Sequence, residues 1–181
     1  GGEIVVWSDI SNPESSTVVA GTLLAKGGRK RGDGGDIETS GFDLDVAGID
    51  VKPTANNGEH GLWLLDPFDY TLDNQAPGFV TSTIGSVLSG GTNVTISTSS
   101  LSNSVGAGIV NSDNNNSAGG TITVAGGIFV SEGGSGVGNL SLIADKDIVI
   151  DAILENLDGD GDLTLSSKTG VSINSGGAIY W

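Results

Sequence analysis

The chain lacks cysteine and methionine, has one histidine, and carries 7 basic against 22 acidic residues in 181 positions. Without cysteine there is no disulfide, no thiol nucleophile and no cysteine metal site. Without methionine, residue 1 is no initiator, so we expect a processed product or an internal piece of a longer protein. The net charge of −15 argues against nucleic acid and anionic lipid as partners.

Long hydrophobic runs are also missing. The longest runs, such as residues 62–65, have only four residues, far short of the roughly 20 that a membrane-spanning helix needs, so we expect no membrane insertion. The chain still has 36% hydrophobic residues, with 31 glycines and 4 prolines. This composition does not fit a disordered chain and is typical of a protein in which glycine separates many short strands.

Aliphatic and hydroxyl residues alternate in four short segments, which is the period of a half-buried strand. The segments are 94–96, 122–124, 140–142 and 163–165, and each follows a turn signal that contains glycine. They begin 28, 18 and 23 residues apart, and segments 147–150 and 170–173 repeat the offset of 23. Such spacings are typical of solenoid repeats.

The sequence therefore predicts an all-β chain folded as a parallel β-solenoid, with about nine coils of roughly 20 residues stacked about 4.8 Å apart. A sandwich or jelly roll is the main alternative, since both use many short strands. Ile84, Val87 and Leu88 recur at helical spacing behind a serine or threonine cap, which predicts a short lateral helix near 82–89.

The solenoid is expected to be one segment with three parts. These are a glycine-rich part (1–72), a junction with the helix (73–98) and repeating coils (99–181). Asp66 and Asp69 are predicted to form turns beside the junction, and the polar run 111–117 to protrude as a loop.

Three stretches carry a family resemblance: GGEIVVWSD at 1–9, GGDIETSG at 34–41 and LLDPFD at 64–69. Together with GTNVTI at 91–96 they closely resemble the filamentous-haemagglutinin-like exoproteins of bacterial two-partner secretion. The resemblance implies a right-handed parallel β-helix, export through an outer-membrane partner transporter, a secreted or cell-surface location, and roles in adhesion or cell contact. Neither the family's secretion domain nor a toxin-like tip is visible, which implies a shaft segment.

Four of the seven basic residues fall within six positions of one glycine-rich loop: Lys26, Arg29, Lys30 and Arg31. Convergent cations suit a sulfated glycan. The interpretation we favour at this point is a solvated loop that Asp33, Asp36 and Glu38 neutralise. The tripeptide Arg31-Gly32-Asp33 matches an integrin-recognition sequence, but the composition of the loop explains it equally well.

Two further acidic patterns resemble sites that carry chemistry in other proteins. Asp43 and Asp45 are expected about 7 Å apart on the outer face of a strand, a separation that suits an inverting glycosidase. No second acid or base can be tied to them, and His60 lies in a polar turn, so we predict no catalytic residue. Residues 156–162 resemble the start of a calcium loop, but position twelve is Ser167, which excludes an EF-hand and leaves a loose site or a plain acidic turn.

Asn93, Asn115 and Asn139 begin N-glycosylation patterns, of which Asn115 in the polar loop is expected to be the accessible one. Trp7 and Trp63 are predicted to be core or coil-edge residues rather than carbohydrate platforms. No cofactor or metal site is predicted.

The leading functional prediction is a non-enzymatic shaft of a secreted adhesin that contacts a host receptor or glycan. A structural protomer of a fibre assembled head-to-tail is the alternative, and a polysaccharide-cleaving enzyme is a weak third. Strand patterns at 1–7 and 176–181 predict that more solenoid follows, in the same chain or by end-to-end self-association.

Overall fold

The computed structural model describes residues 1–74, 80–98, 119–131 and 136–181. These residues form 17 strands and one helix, so the described chain is predominantly β. The strands are β1 Glu3–Trp7, β2 Ser16–Val18, β3 Gly21–Leu24, β4 Asp36–Gly41, β5 Asp43–Asp45, β6 Ile49–Lys52, β7 Leu62–Pro67, β8 Tyr70–Leu72, β9 Asn93–Thr98, β10 Ile122–Val124, β11 Ile128–Val130, β12 Leu140–Ala144, β13 Asp147–Ile150, β14 Ile153–Asn156, β15 Leu163–Ser167, β16 Gly170–Ile173 and β17 Ala178–Tyr180. The helix is α1, Val80–Ser89.

All strand pairs among the described residues are parallel. The largest sheet has six strands in the order β1-β4-β7-β9-β12-β15, which is their order along the chain. Four smaller sheets are β2-β5, β3-β6, β16-β13-β10-β8 and β11-β14-β17. Because parallel neighbours cannot be joined by a hairpin, the chain leaves the large sheet and returns through the smaller ones. We call each strand of the large sheet, together with the strands of the smaller sheets that follow it along the chain, a passage.

The core lies on the inner face of the six-stranded sheet, where the strand register aligns apolar residues of neighbouring strands. One column of paired residues joins Ile4, Ile37, Trp63, Val94, Leu140 and Leu163. The four inner members are fully buried, whereas Ile4 and Leu163 in the outermost strands are half-buried. Each passage therefore buries the apolar face of its neighbours, as alternation with period two requires.

The register confirms one sequence-based pairing and corrects another. Leu140 lies opposite Leu163, and Ile148 opposite Val171, as the offset of 23 residues predicts. Segment 122–124 does not belong to that series, because Ile122 pairs with Ile148 in the four-stranded sheet. The estimate of about nine coils is also wrong: the described residues enter the large sheet six times.

The predicted helix is present as α1, which packs against β11, β9 and β6. The helix lies between β6 and β11, at the position that a strand occupies in the neighbouring passages. Ile84 and Leu88 are fully buried and Val87 is half-buried, so the apolar stripe faces the core as predicted.

One corner of the fold is marked by aromatic stacking. The rings of Phe42 and Phe68, in consecutive passages, stack at 4.4 Å between centroids. Asp69 beside them accepts a hydrogen bond from the Thr121 amide at 2.8 Å, which fits its predicted place in a turn. Asp66 instead lies inside β7, so its assignment to a turn is wrong. The polar run 111–117 lies outside the described residues.

Candidate functional site

The basic residues predicted from the sequence lie on a loop between β3 and β4, and we call residues 26–33 the basic loop. Its base is closed by a hydrogen bond from the Gly35 amide to the Ala25 carbonyl oxygen at 2.7 Å. In the following passage a second loop, residues 54–60, is closed in the same way. The Gly61 amide donates a hydrogen bond to the Pro53 carbonyl oxygen at 2.7 Å. A side chain at Gly34 would lie 1.9 Å from the Pro53 oxygen, so glycine lets the two loops pack together.

The cations of the basic loop are exposed, and no ion pair joins them to a carboxylate in the described part of the chain. Two of the three acidic residues expected to neutralise them accept hydrogen bonds from other groups. Asp33 accepts a hydrogen bond from the Glu59 amide at 3.0 Å, and Glu38 accepts one from the Ser40 hydroxyl at 2.7 Å. Among the described residues, the four cations of this exposed loop therefore form no ion pair, and Asp33 is the one acidic residue within the loop.

The Arg31-Gly32-Asp33 tripeptide forms part of the same loop. Gly32 has a φ of 115°, a conformation that glycine adopts without strain. The Asp33 carboxylate is used internally through its bond from Glu59, which fixes the second loop against the first. Integrin recognition by this tripeptide stays a prediction.

Beside the second loop lies a polar cleft of about 530 Å³, lined by residues that include Glu59, His60, Asn93 and Asn139. His60 is half-buried, and its Nδ1 atom is buried without a hydrogen-bond partner among the described residues. The cleft places imidazole, carboxylate and amide groups in reach of a polar ligand. Its side chains differ from the carboxylate pair considered for catalysis.

An asparagine ladder runs along the edge of this cleft. The Asn93 Oδ1 atom accepts a hydrogen bond from the Asn139 amide at 3.0 Å, and Asn139 Oδ1 accepts one from the Asp162 amide at 2.7 Å. The ladder connects the starts of three strands in successive passages and satisfies two backbone donors, the amides of Asn139 and Asp162. Both asparagines thus have a structural role, and glycosylation at their Nδ2 atoms stays a prediction. Asn115 lies outside the described residues.

The two carboxylates of β5 project outward, while Leu44 and Val46 are buried, as the alternation predicts. Asp45 accepts a hydrogen bond from the Ala47 amide at 2.8 Å, which caps the turn after the strand. Neither aspartate lines the polar cleft or the two grooves beside α1. The pair therefore contributes to none of these three pockets, and catalysis by it has no support from their geometry.

Tyr70 lies inside the fold near this pair. Its hydroxyl is buried and has no hydrogen-bond partner among the described residues. Burial raises the pKa of the Tyr70 phenol far above its usual value, and the charges of Asp45 and Asp73 add to the rise. The phenol stays protonated at physiological pH.

The acidic turn 156–162 is organised by its own asparagine. The Asn156 Oδ1 atom accepts hydrogen bonds from the Asp158 and Gly159 amides, at 3.1 and 3.3 Å, so it already has two donors. Within the described ranges, no three histidine or acidic side chains converge to hold a metal ion. The contacts favour the plain acidic turn.

The two predicted tryptophan positions differ. Trp63 is fully buried, and its Nε1 donates to the Thr39 hydroxyl at 3.1 Å, so the core assignment is confirmed. Trp7 is 65% exposed on the outer face of β1, at an edge strand of the large sheet. The alternation of side chains along β1 could have predicted this exposure. Ile4 and Val6 face inward, so Trp7 faces outward.

No family profile, curated protein or solved structure matches the chain. No helix among the described residues is long and apolar enough to cross a membrane. The resemblance given by the three sequence stretches therefore rests on those residues alone.

Proposed function

We propose that the chain is a right-handed parallel β-helix that serves as a non-enzymatic shaft segment of a secreted bacterial surface exoprotein, and that its basic loop contacts polyanionic glycan. The architecture is supported by the six-stranded parallel sheet, whose strand order follows the chain. Crossovers between parallel strands are right-handed in about 98% of cases, which supports the handedness.

The observation that carries the contact role is the basic loop itself. Four exposed cations, none of them in an ion pair with a described residue, lie on one loop of a chain whose net charge is −15. Asp33 belongs to the loop itself, so the four cations leave a local excess of positive charge that is smaller by one. Carboxylates beyond the screening length of about 8 Å do not cancel that excess in physiological salt. A flexible sulfated polymer fits such a loop, since it needs charge rather than an enclosed pocket.

A charge-matched pair of variants tests the contact role. The first combines Arg29→Gln, Lys30→Gln and Arg31→Gln. The control combines Lys52→Gln, Lys146→Gln and Lys168→Gln, so both lose the same charge. On an immobilised sulfated polysaccharide at about 0.15 M salt, we expect the first variant to lose retention and the control to keep it. Equal weakening of both, or no retention of the unchanged chain, would contradict the glycan contact.

The remaining two functions have separate tests. Release of soluble sugars from pectin-like or chitin-like polymers would support the enzyme, and we expect none. Electron micrographs of the purified chain test the fibre: end-to-end filaments would support it, and isolated short rods alone would contradict it.

A further inference from the structure

The second loop, residues 54–60, contains a pair of residues that is chemically reactive in proteins. Asn57 is followed by Gly58, and this is the one Asn-Gly pair in the 181-residue sequence. Both residues are exposed. An asparagine side chain can react with the backbone nitrogen of the next residue, and glycine hinders that attack least, because it has no side chain and its backbone turns freely.

The packing of the two loops requires glycine at position 58. A Cβ atom there would lie 2.6 Å from the Asp33 Oδ1 atom and 2.8 Å from the Gly32 carbonyl oxygen, both in the basic loop. Rotation of a side chain cannot relieve the contact with the backbone oxygen. The feature that lets the second loop pack on the basic loop therefore also leaves Asn57 unprotected.

The reacting groups have no competing partner. No hydrogen bond joins the Asn57 side chain or the Gly58 amide to another residue within the described ranges. The next residue, in contrast, is anchored to the neighbouring passage. The Glu59 amide donates to Asp33 Oδ1 at 3.0 Å, and the Glu59 carbonyl oxygen accepts from the Gly34 amide at 2.8 Å. The reactive pair is thus exposed to water directly beside an anchored contact with the basic loop.

We propose that Asn57 is a site of spontaneous deamidation, and that its conversion weakens the contact between the basic loop and polyanionic glycan. The Gly58 nitrogen attacks the Cγ atom of Asn57, and the side-chain nitrogen leaves as ammonia with the proton from Gly58. Water then opens the cyclic imide at either carbonyl group. One opening gives aspartate, and the other gives isoaspartate, in which the main chain runs through the side-chain carbons. This proposal rests on the glycan contact proposed above and adds its regulation, because the contact declines as the protein ages.

Both products add a negative charge beside the basic loop. Gly58 contacts the Gly32–Asp33 corner of that loop, and Asn57 lies one residue away, about 3.8 Å between Cα atoms. The new carboxylate is therefore expected within roughly one screening length, about 8 Å, of the corner. Asp33 already offsets one of the four cations, and the new charge offsets a second.

The isoaspartate product also changes the packing of the loops. It adds one atom to the main chain directly before Gly58, so Glu59 has to shift. That shift strains the hydrogen bond from the Glu59 amide to Asp33. An Asp33 carboxylate without this donor can turn toward the cations of its own loop, which acts in the same direction as the added charge.

Mass spectrometry of proteolytic peptides tests the reaction. We expect the purified chain, stored in mildly alkaline buffer, to convert Asn57 to aspartate and isoaspartate several-fold faster than Asn56, whose next residue carries a side chain. Acidic buffer should slow the conversion, because the Gly58 nitrogen attacks after losing its proton. Asn57→Gln should prevent it, since the longer side chain would have to close a larger ring. An intact Asn57 in a chain whose other asparagines convert would overturn the proposal.

Retention on immobilised sulfated polysaccharide tests the consequence. Asn57→Asp should weaken retention about twofold to fivefold, the range of one surface charge pair. Asn12→Asp is the charge-matched control and should keep retention. Asn12 is exposed and follows the end of β1, whereas the basic loop precedes β4, whose first residues pair with the start of β1. Storage should weaken the unchanged chain to the level of Asn57→Asp or below, and should leave Asn57→Gln unchanged.

Two results would overturn the consequence: equal retention of Asn57→Asp and Asn12→Asp, or an equal decline of the unchanged chain and Asn57→Gln on storage. If the fresh unchanged chain is not retained at all, the proposed glycan contact fails and its regulation fails with it. The peptide masses report the reaction at Asn57 independently of retention, so the two failures are distinguishable.

Discussion

At the residue scale, the Tyr70 hydroxyl is one of three buried side-chain atoms among the described residues that have no hydrogen-bond partner. A buried polar atom without a hydrogen bond lowers stability, and removing it costs little. The asparagine ladder is the opposite case, since Asn139 satisfies one donor through its side chain. Sequence patterns missed the ladder because asparagine before a strand also indicates a turn or a glycosylation site.

Tyr70→Phe should therefore hold or raise the free energy of unfolding at pH 7, by up to about 1 kcal/mol. The phenol pKa is raised in the folded state, so above about pH 10 the unfolded chain loses a proton that the folded chain keeps. Stability of the unchanged chain should fall as pH rises there, and less so for the variant. Urea unfolding at pH 7 and about pH 11 measures this. Tyr180→Phe, at an exposed tyrosine, is the control, and equal pH slopes for Tyr70→Phe and the unchanged chain would contradict the prediction.

At the element scale, α1 depends on a close approach at Gly85. A Cβ atom there would lie 2.4 Å from the Phe129 carbonyl oxygen in β11, so the absence of a side chain sets the distance between helix and strand. The helical spacing of Ile84 and Leu88 predicted α1 itself. The sequence did not reveal that the helix lies between two strands, because its neighbours β6 and β11 are distant along the chain.

Gly85→Ala separates packing from helix propensity. Propensity alone would stabilise the helix by about 1 kcal/mol, whereas the clash with backbone is expected to cost about 1–3 kcal/mol. We expect net destabilisation. Ser86→Ala, at the exposed neighbour in the same helix, is the control and should be neutral or slightly stabilising. A rise in the urea midpoint for Gly85→Ala would mean that the contact with β11 is loose.

At the scale of the whole molecule, the parallel order of the sheets follows from the repetition of strands, but the number of passages does not. Segments 140–142 and 163–165 were paired correctly because their turns and their following strands also match. Segment 122–124 was misplaced because period two identifies a strand without identifying its sheet. The basic loop was visible in the sequence, but which described carboxylates pair with its cations depends on contacts between passages, and none does.

Stacking also determines how the molecule responds to shortening. Each passage pairs with its neighbours, so stability is expected to add up from local interfaces. Deleting residues 163–181 removes the β12–β15, β13–β16 and β14–β17 pairs and leaves the earlier pairs intact. We expect residues 1–162 to keep their β circular dichroism and the blue-shifted fluorescence of buried Trp63, with a lower melting temperature. Loss of the β signal, or emission typical of exposed tryptophan alone, would mean that the passages fold as one indivisible unit.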